Sequence, residues 1–185
     1  MPELSIDRRM VLVRKCTRCG LSDFRRKRVV GRGSVPASIL FIGEAPGKSE
    51  DLLGKPFVGP SGRLLNQGIK DASELCGVLP SYYITNVIQC RPTDWKGGDN
   101  REPTEKEAWE CRSNLENVVR AVQPIRVVLI GKVAQTLCKR MFPGASKLVH
   151  PAYLLRRGGT PSPEYRAFVT ELTHIFEEVD HAKES

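Results

Sequence analysis

Glu44 is the first residue whose type and setting indicate chemistry. It follows the apolar run 39–42, whose length and turn-rich continuation predict a buried strand. Gly43, Pro46 and Gly47 surround it and predict a sharply bent backbone at the end of that strand. Pockets in open α/β sheets form at the carboxyl ends of strands. Glu44 is therefore a candidate to activate water or steady a cation; the alternative is a loop carboxylate that caps a helix or pairs with a surface lysine.

Three further side chains are predicted to lie near strand ends. Phe57 stands among small residues, where it either stacks on a flat ring or belongs to the core. Asn86 lies near the end of a second predicted strand, and its amide either pairs with the edge of a base or caps a turn. His150 precedes a proline after another predicted strand, either as a functional group or as a structural histidine. Because parallel strands end at one edge of a sheet, these side chains and Glu44 are predicted to surround a pocket for a flat polar ring.

Four of the six cysteines form a pattern that is typical of a metal or iron–sulfur site. Cys16 and Cys19 form a C-x-x-C pair, Cys90 follows a predicted strand, and Cys111 lies in the next predicted helix. Four thiolates hold either a zinc ion or a 4Fe–4S cluster, and one tight pair with two scattered cysteines favours the cluster. The alternative is that Cys90 and Cys111 are ordinary buried cysteines.

The elements that must position these residues alternate between strand and helix. The sequence predicts strands at residues 38–43, 82–88, 126–131 and 146–149. It predicts helices at residues 61–76, 104–122, 132–141 and 163–179. Loops are expected at 44–60 and 151–156, and a short helix, the C-x-x-C loop and a basic arm are expected within 1–35. The alternation predicts a single α/β domain over residues 1–185, a three-layer α/β/α sandwich around a central, mainly parallel four-stranded sheet.

Positive charge is concentrated near the N-terminus. The chain carries a net charge of +8, and the segment from Arg8 to Arg32 holds ten basic residues and one acid. Such a segment attracts phosphate backbones; the alternatives are a solvated surface or a nuclear-import tract at residues 25–28. The chain lacks an apolar stretch of membrane-spanning length and a signal-peptide core. A globular, cytoplasmic protein without a membrane partner is therefore expected.

Four longer motifs contain most of these candidate residues: GEAPGKSEDLLGKPFVGPSGRLL at residues 43–65, YITNVIQCRP at 83–92, NREPTEKEAWEC at 100–111 and HPAYLLR at 150–156. Through these motifs the sequence resembles the iron–sulfur-containing uracil-DNA glycosylases of the family-four type. With the early C-x-x-C, the resemblance covers about residues 10–157. The occurrence of all these motifs in order makes the resemblance specific.

The resemblance implies an enzyme that flips uracil out of DNA and hydrolyses its N-glycosidic bond. Glu44 matches the family's catalytic carboxylate, and His150 matches the histidine that polarises the uracil O2. Backbone N–H groups at Gly43 and Ala45 would help to stabilise the uracil anion as it leaves. The expected substrate is single- or double-stranded DNA containing uracil, the expected product an abasic site, and the expected enzyme a monomer.

The resemblance also implies contacts to the base and to the DNA. Phe57 matches the aromatic residue that stacks on the flipped uracil, and Asn86 matches the amide that reads its edge. The methyl group of thymine would be excluded by Phe57 or by the backbone at 43–47. The segment 151–156 matches the one that enters the minor groove, with three candidate wedge residues: Leu154, Leu155 and Arg156.

A structural 4Fe–4S cluster that ties the N-terminal arm to the sheet is the implied cofactor. Its implied ligands are Cys16, Cys19, Cys90 and Cys111.

The sequence departs from the family in the segment between Cys90 and Cys111. Residues 94–98 are extra, and they form either an added DNA contact or a plain surface loop. Gln89 stands where a lysine is common in the family. A related branch traps the abasic sugar with a histidine from this segment, but no histidine is present here, so turnover is expected. The alternative to an enzyme is a non-catalytic nucleic-acid-binding protein that retains the fold and the cluster.

Overall fold

A five-stranded mixed β-sheet forms the centre of the molecule. The computed structural model describes residues 15–184. The strands are β1 (Arg32–Gly33), β2 (Ile39–Gly43), β3 (Tyr82–Asn86), β4 (Arg126–Ile130) and β5 (Ser146–Leu148). Across the sheet they lie in the order β1-β3-β2-β4-β5. All neighbouring pairs among β2 to β5 are parallel, and β1 alone pairs antiparallel, with β3.

The expected count of four strands is wrong because of β1. This strand has two residues, and its Gly33 lies opposite Tyr83. Gly33 has a φ of +130°, and a Cβ there would lie 2.2 Å from the carbonyl oxygen of Tyr82. So short a segment carries no alternation of apolar and polar residues. Only its pairing in the folded chain identifies it as a strand.

The described residues form seven helices. They are α1 (Leu21–Phe24), α2 (Lys48–Leu53), α3 (Pro60–Cys76), α4 (Glu105–Val122), α5 (Lys132–Cys138), α6 (Pro151–Arg156) and α7 (Pro163–Glu184). The four predicted helices correspond to α3, α4, α5 and α7, whereas α2 and α6 lie in segments expected to be loops. Six residues are too few to show a periodic apolar face. Within residues 15–184, none of the helices has both the length and the apolar character of a membrane span.

Capping groups define where two of the long helices begin. Before α4, the hydroxyl of Thr104 accepts a hydrogen bond from the Glu107 N–H at 3.2 Å. In return, the Glu107 carboxylate accepts one from the Thr104 N–H at 2.8 Å, which completes a capping box. Helix α3 begins at Pro60, a residue favoured in the first helical turn.

The two faces of the sheet carry separate hydrophobic cores. In β2, Ile39 and Phe41 pack in one core with residues of α3 and α7. Leu40 and Ile42 pack in the other core with residues of α4 and α5. Successive side chains of a strand point to opposite faces, so a strand covered on both sides needs an unbroken apolar run. Helical layers on both faces therefore agree with the fold expected from the sequence.

Candidate active site

A cavity of about 370 Å³ opens at the carboxyl ends of β2 and β3. Glu44 directly follows β2, and Asn86 is the last residue of β3. Phe57 comes from the loop before α3, and His150 caps the start of α6. All four side chains line the cavity. The structure thus brings together the residues that the sequence analysis selected as candidates.

Gly43 allows the aromatic ring and the amide of this cavity to meet. It lies opposite Asn86 in the parallel register of β2 and β3. A Cβ at this position would lie 2.5 Å from Cζ of Phe57 and 2.6 Å from Oδ1 of Asn86. Both neighbours are buried, so neither has free space to move into. Any side chain at position 43 would therefore displace one of the two cavity residues.

The backbone holds Phe57 in a conformation that side-chain-bearing residues rarely adopt. Its φ is +52°, in the left-handed region. Gly62 makes room for it, since a Cβ there would lie 2.0 Å from the Phe57 carbonyl oxygen. Backbone strain of this kind, about 1–3 kcal/mol, persists only where the surroundings determine the conformation.

Glu50 holds the backbone next to Phe57 in place, although it was not among the predicted site residues. Its Oε1 accepts hydrogen bonds from the N–H groups of Val58 and Gly59, both at 2.9 Å. Its Oε2 accepts one from the Gly47 N–H at 3.1 Å. One carboxylate therefore joins the two loops that form the walls of the cavity. A glutamate three residues after the helix N-cap is the signal that points to such a residue.

His150 is held in one orientation by the start of α6. Its Nδ1 accepts a hydrogen bond from the Ala152 N–H at 3.1 Å. Burial lowers the pKa of the imidazole, and the positive charge of Arg156 lowers it further. The neutral ring is therefore favoured, and because Nδ1 is an acceptor, Nε2 carries the proton. The result is a neutral hydrogen-bond donor in the cavity wall, with its ring centroid 6.3 Å from that of Phe57.

Glu44 has a setting that favours its protonated form. Burial raises the pKa of its carboxyl group, and the negative charge of Glu102 raises it further. A carboxylate with a raised pKa binds a proton more readily than one on the surface. Such groups are typical of acid–base sites in clefts.

Two residues of the segment after Cys90 complete the cavity, and the sequence analysis did not select them. Asn100 and Arg101 line the wall beside Glu44. Asn100 accepts a hydrogen bond from Arg91, and Arg101 pairs with Glu107 at 2.6 Å and with Asp94 at 2.8 Å. The pair of Arg101 with Glu107 fixes the segment against the start of α4.

A second cavity, of about 890 Å³, adjoins the first. Glu44 and His150 line both cavities. Lys132, Tyr153 and Arg156 line the larger one. The two cavities therefore form a continuous cleft whose wider part carries basic and aromatic side chains.

The helical form of α6 divides the three candidate wedge residues. Leu154 is fully buried in the core with residues of α3 and α7, so it is not available to a DNA groove. This corrects the expectation that all three could contact DNA, and the cause is the helical periodicity that turns one side of α6 inward. Leu155 and Arg156 are exposed, as is Tyr153 beside them.

The four candidate cysteine ligands lie in one region, beside the start of the described chain. Cys16 and Cys19 precede α1, while Cys90 and Cys111 are buried after β3 and within α4. The amide nitrogen of Asn114 lies 3.6 Å from the sulfurs of both Cys16 and Cys111. Within residues 15–184, however, no three His, Cys, Asp or Glu side chains are grouped so as to hold a single metal ion.

Two arginines bring positive charge to these thiols. Arg25 donates a hydrogen bond to the sulfur of Cys90 at 3.0 Å. Burial raises the pKa of the Cys90 thiol to about 11, against the opposing effect of the Arg25 charge. Arg28 is buried next to Cys16, and its positive charge lies close to the thiols of Cys16, Cys111 and Cys90. Gln89 accepts two hydrogen bonds from Arg28, at 3.1 and 2.8 Å. A lysine at position 89 would instead repel the positive charge of Arg28.

The basic segment is consequently only partly free to bind a polyanion. Besides Arg25 and Arg28, Arg32 is engaged, with the Pro56 carbonyl at 3.0 Å and with Asn66 at 2.6 Å. Arg26 and Lys27 remain exposed. Three basic residues of the segment, Arg8, Arg9 and Arg14, lie outside the described residues. The short helix expected near the N-terminus also lies outside them.

Comparison with known proteins gives consistent matches. A sequence model of the uracil DNA glycosylase superfamily matches residues 30–173. The type-4 uracil-DNA glycosylase of Saccharolobus solfataricus is 40% identical over 121 residues, which are 65% of this chain and 52% of the relative. That of Sulfurisphaera tokodaii is 41% identical over 118 residues, 63% of this chain and 50% of the relative.

A relative that is covered over most of its length extends this picture. The type-4 uracil-DNA glycosylase of Thermotoga maritima is 34% identical over 177 residues, 86% of both chains. The chain spans about half the length of the first two relatives. The family model covers more than half of this chain and includes the strands and loops that build the cavity. The chain belongs to the uracil-DNA glycosylase superfamily.

Proposed function

We propose that this protein is a DNA repair glycosylase that removes uracil from DNA and leaves an abasic site. The observation that carries the proposal is the cavity in which Glu44, Phe57, Asn86 and His150 meet at one sheet edge. Its combination of a ring, an amide, a neutral donor and a carboxylate suits a flat polar base attached to a sugar. Relatives named type-4 uracil-DNA glycosylase support the choice of uracil. The enzyme would act as a cytoplasmic monomer.

Phe57 and Asn86 would bind the base after it leaves the stack. Phe57 would stack on the uracil ring, and the amide of Asn86 would pair with the acceptor and donor on its edge. Because Gly43 has no side chain, both groups can lie against its backbone. The buried Phe57 ring or the bent backbone at 43–47 would exclude the methyl group of thymine.

His150 and Glu44 would act on opposite sides of the bond that breaks. As the bond between C1′ and N1 breaks, its electron pair stays with the uracil, and the Nε2–H of His150 would donate a hydrogen bond to O2. The N–H groups of Gly43 and Ala45 would support the same charge. Glu44 would steady the positive sugar and orient the water that attacks C1′, and it would accept a proton from that water.

The wider cavity would hold the DNA beside the flipped nucleotide. Lys132 and Arg156 line it and would attract phosphates. Leu155, exposed at the end of α6, is the apolar candidate for the space that the base leaves. Flipping costs a few kcal/mol, and least where the base is mispaired or single-stranded.

The four cysteines fit a 4Fe–4S cluster better than a zinc ion. Sulfurs around one zinc ion lie about 3.8 Å apart, because each Zn–S bond is about 2.3 Å. Cluster ligands each bind a different iron atom and are spaced more widely. One tight pair with two scattered cysteines is the pattern that favours a cluster. Cys16, Cys90 and Cys111 have Arg28 as a common neighbour, which places these three thiols in one region. The positive charge of buried Arg28 would offset the negative charge of a thiolate-bound cluster. The cluster would tie the chain before α1 to β3 and α4: its ligands are Cys16, Cys19, Cys90 and Cys111.

Replacement of Cys111 by serine tests the cofactor. Wild-type protein is expected to show an absorbance band at about 400 nm and bound iron. Cys111→Ser is expected to lose most of both, because an alcohol replaces a thiolate ligand. Cys76→Ser is the matched control, since Cys76 lies at the end of α3 outside this group, and its band should be unchanged. Bound zinc without the band in wild-type protein would contradict the cluster assignment.

Release of uracil from a labelled duplex tests the activity itself. The enzyme is expected to produce alkali-labile abasic sites in a duplex with one U·G pair, and none in the same duplex with T·G. The difference follows from the excluded methyl group. DNA binding without cleavage of either substrate would favour the non-catalytic alternative.

A further inference from the structure

A basic depression lies outside the candidate active site, beside the extra residues of the chain. Its volume is about 570 Å³, and it is lined by Arg25, Arg26, Lys27, Leu52 and Lys96. Three of these cations are exposed: Arg26, Lys27 and Lys96. None of the three forms an ion pair within the part of the chain that the structure describes. Their charges are therefore available to a ligand.

The backbone that carries two of these cations is fixed in place. Asp51 is buried, and its carboxylate accepts hydrogen bonds from the N–H groups of Arg26 at 2.9 Å and Lys27 at 3.3 Å. Asp51 belongs to α2, the same helix that places Leu52 in the depression. The first residue of that helix, Lys48, lines the active-site cavity. The same short helix therefore contributes residues to both the depression and the active-site cavity.

The segment that carries the third cation is also ordered by its contacts. The guanidinium of buried Arg91 donates hydrogen bonds to the carbonyl oxygen of Gly98 and to Asn100. Asp94 pairs with Arg101 at 2.8 Å. These bonds hold both ends of the extra segment. The segment is therefore held in a defined conformation in which Lys96 lines the depression.

Trp95, the neighbour of Lys96, is exposed to 60%. One side of its ring packs against Gly98, where a Cβ would lie 2.8 Å from Cε2. The ring is thus supported by its own loop and still open to solvent. Large exposed aromatic rings beside cations are typical of single-stranded nucleic-acid sites, because a base of any kind can stack on them.

We propose that this depression binds a backbone phosphate of the DNA strand next to the nucleotide in the active site, and that Trp95 stacks on a base of the same strand. The proposal rests on the proposed function, since it takes DNA as the ligand. Cations without acidic partners favour a phosphate, and the adjacent ring favours a nucleotide over an acidic peptide. The extra residues 94–98 would then extend the DNA-binding surface beyond the base pocket.

Fluorescence of Trp95 tests the proposal directly. The chain has two tryptophans, so Trp109→Phe leaves Trp95 as the single reporter. Titration with a thymidine 12-mer, which contains no uracil, is expected to quench its fluorescence in a saturable and salt-dependent way. Binding seen by anisotropy without quenching, or no binding, would overturn the proposal. Equal affinity for a polyglutamate peptide would also overturn it and indicate a protein partner.

The salt dependence of the same titration tests the phosphate contact. Lys96→Gln is expected to weaken binding several-fold at low salt and to reduce the slope of log K against log salt by about 1, as loss of one phosphate contact requires. Lys70→Gln, an exposed lysine on α3, is the matched control and should behave as wild type. An unchanged slope in Lys96→Gln would overturn the proposal. Because the oligonucleotide lacks uracil, a failure of uracil release in a separate assay would overturn the activity and leave this binding site supported.

Discussion

Replacing Glu44 with glutamine is expected to slow single-turnover uracil release by about 10²- to 10⁴-fold. The amide keeps the size of the side chain but can neither accept a proton from water nor steady the sugar cation. Folding should not suffer, because burial raises the Glu44 pKa and so disfavours its charged form in the folded protein. Thermal unfolding followed by circular dichroism checks this point. A variant with wild-type turnover would remove Glu44 from the mechanism.

The pH dependence of the rate gives a second measure of the same group. Because Glu44 acts as the carboxylate, the wild-type rate is expected to fall as the pH drops through its raised pKa. Glu102→Gln removes the smaller of the two causes that raise this pKa, so the acid limb should move to lower pH. Burial is the larger cause, and the shift is therefore partial. An acid limb that stays in place, or moves to higher pH, would contradict the assignment.

Replacing His150 is expected to slow uracil release by about 10²- to 10³-fold, the usual effect of losing one donor to a developing anion. Two variants separate the two tasks of this residue, which caps α6 through Nδ1 and offers a donor at Nε2. His150→Asn keeps an acceptor for the Ala152 N–H, since asparagine is a good N-cap, but its shorter side chain no longer places a donor at the Nε2 position. His150→Ala loses both.

Stability measurements then show which task matters for the reaction. Only His150→Ala is expected to lose about 0.5–2 kcal/mol of folding stability, from the missing cap. Both variants should lose the same factor in rate at saturating DNA. A slow Ala variant beside a fully active Asn variant would mean that His150 serves the fold alone.

Much of the candidate site could be predicted from the sequence alone. Strand-end positions and side-chain chemistry were enough to select Glu44, Asn86 and His150. A local apolar run indicates a strand, and the turn residues that follow it indicate where the strand ends. Because β2, β3 and β5 run parallel in one sheet, with β4 between β2 and β5, their ends lie at one edge. The alternation of helix and strand predicted the layers for the same local reason.

Other features depended on contacts between residues far apart in the chain, which no local pattern contains. Burial of Leu154 follows from the way α6 packs on α3 and α7, and the strand β1 exists only through its pairing with Tyr83. The partners of Arg91 in the extra segment are only seven and nine residues away, but no apolar periodicity or turn signal indicates these hydrogen bonds.

What the sequence determined about this protein is therefore its family, its layered α/β class and the identity of the groups that could do chemistry. The tertiary structure alone decided how those groups are held: Phe57 at a positive φ, the Glu50 carboxylate across two loops, and Gly43 between ring and amide. Residue types and short spacings record local preferences, whereas a hydrogen bond or close approach between distant segments is set by the packing of the whole chain.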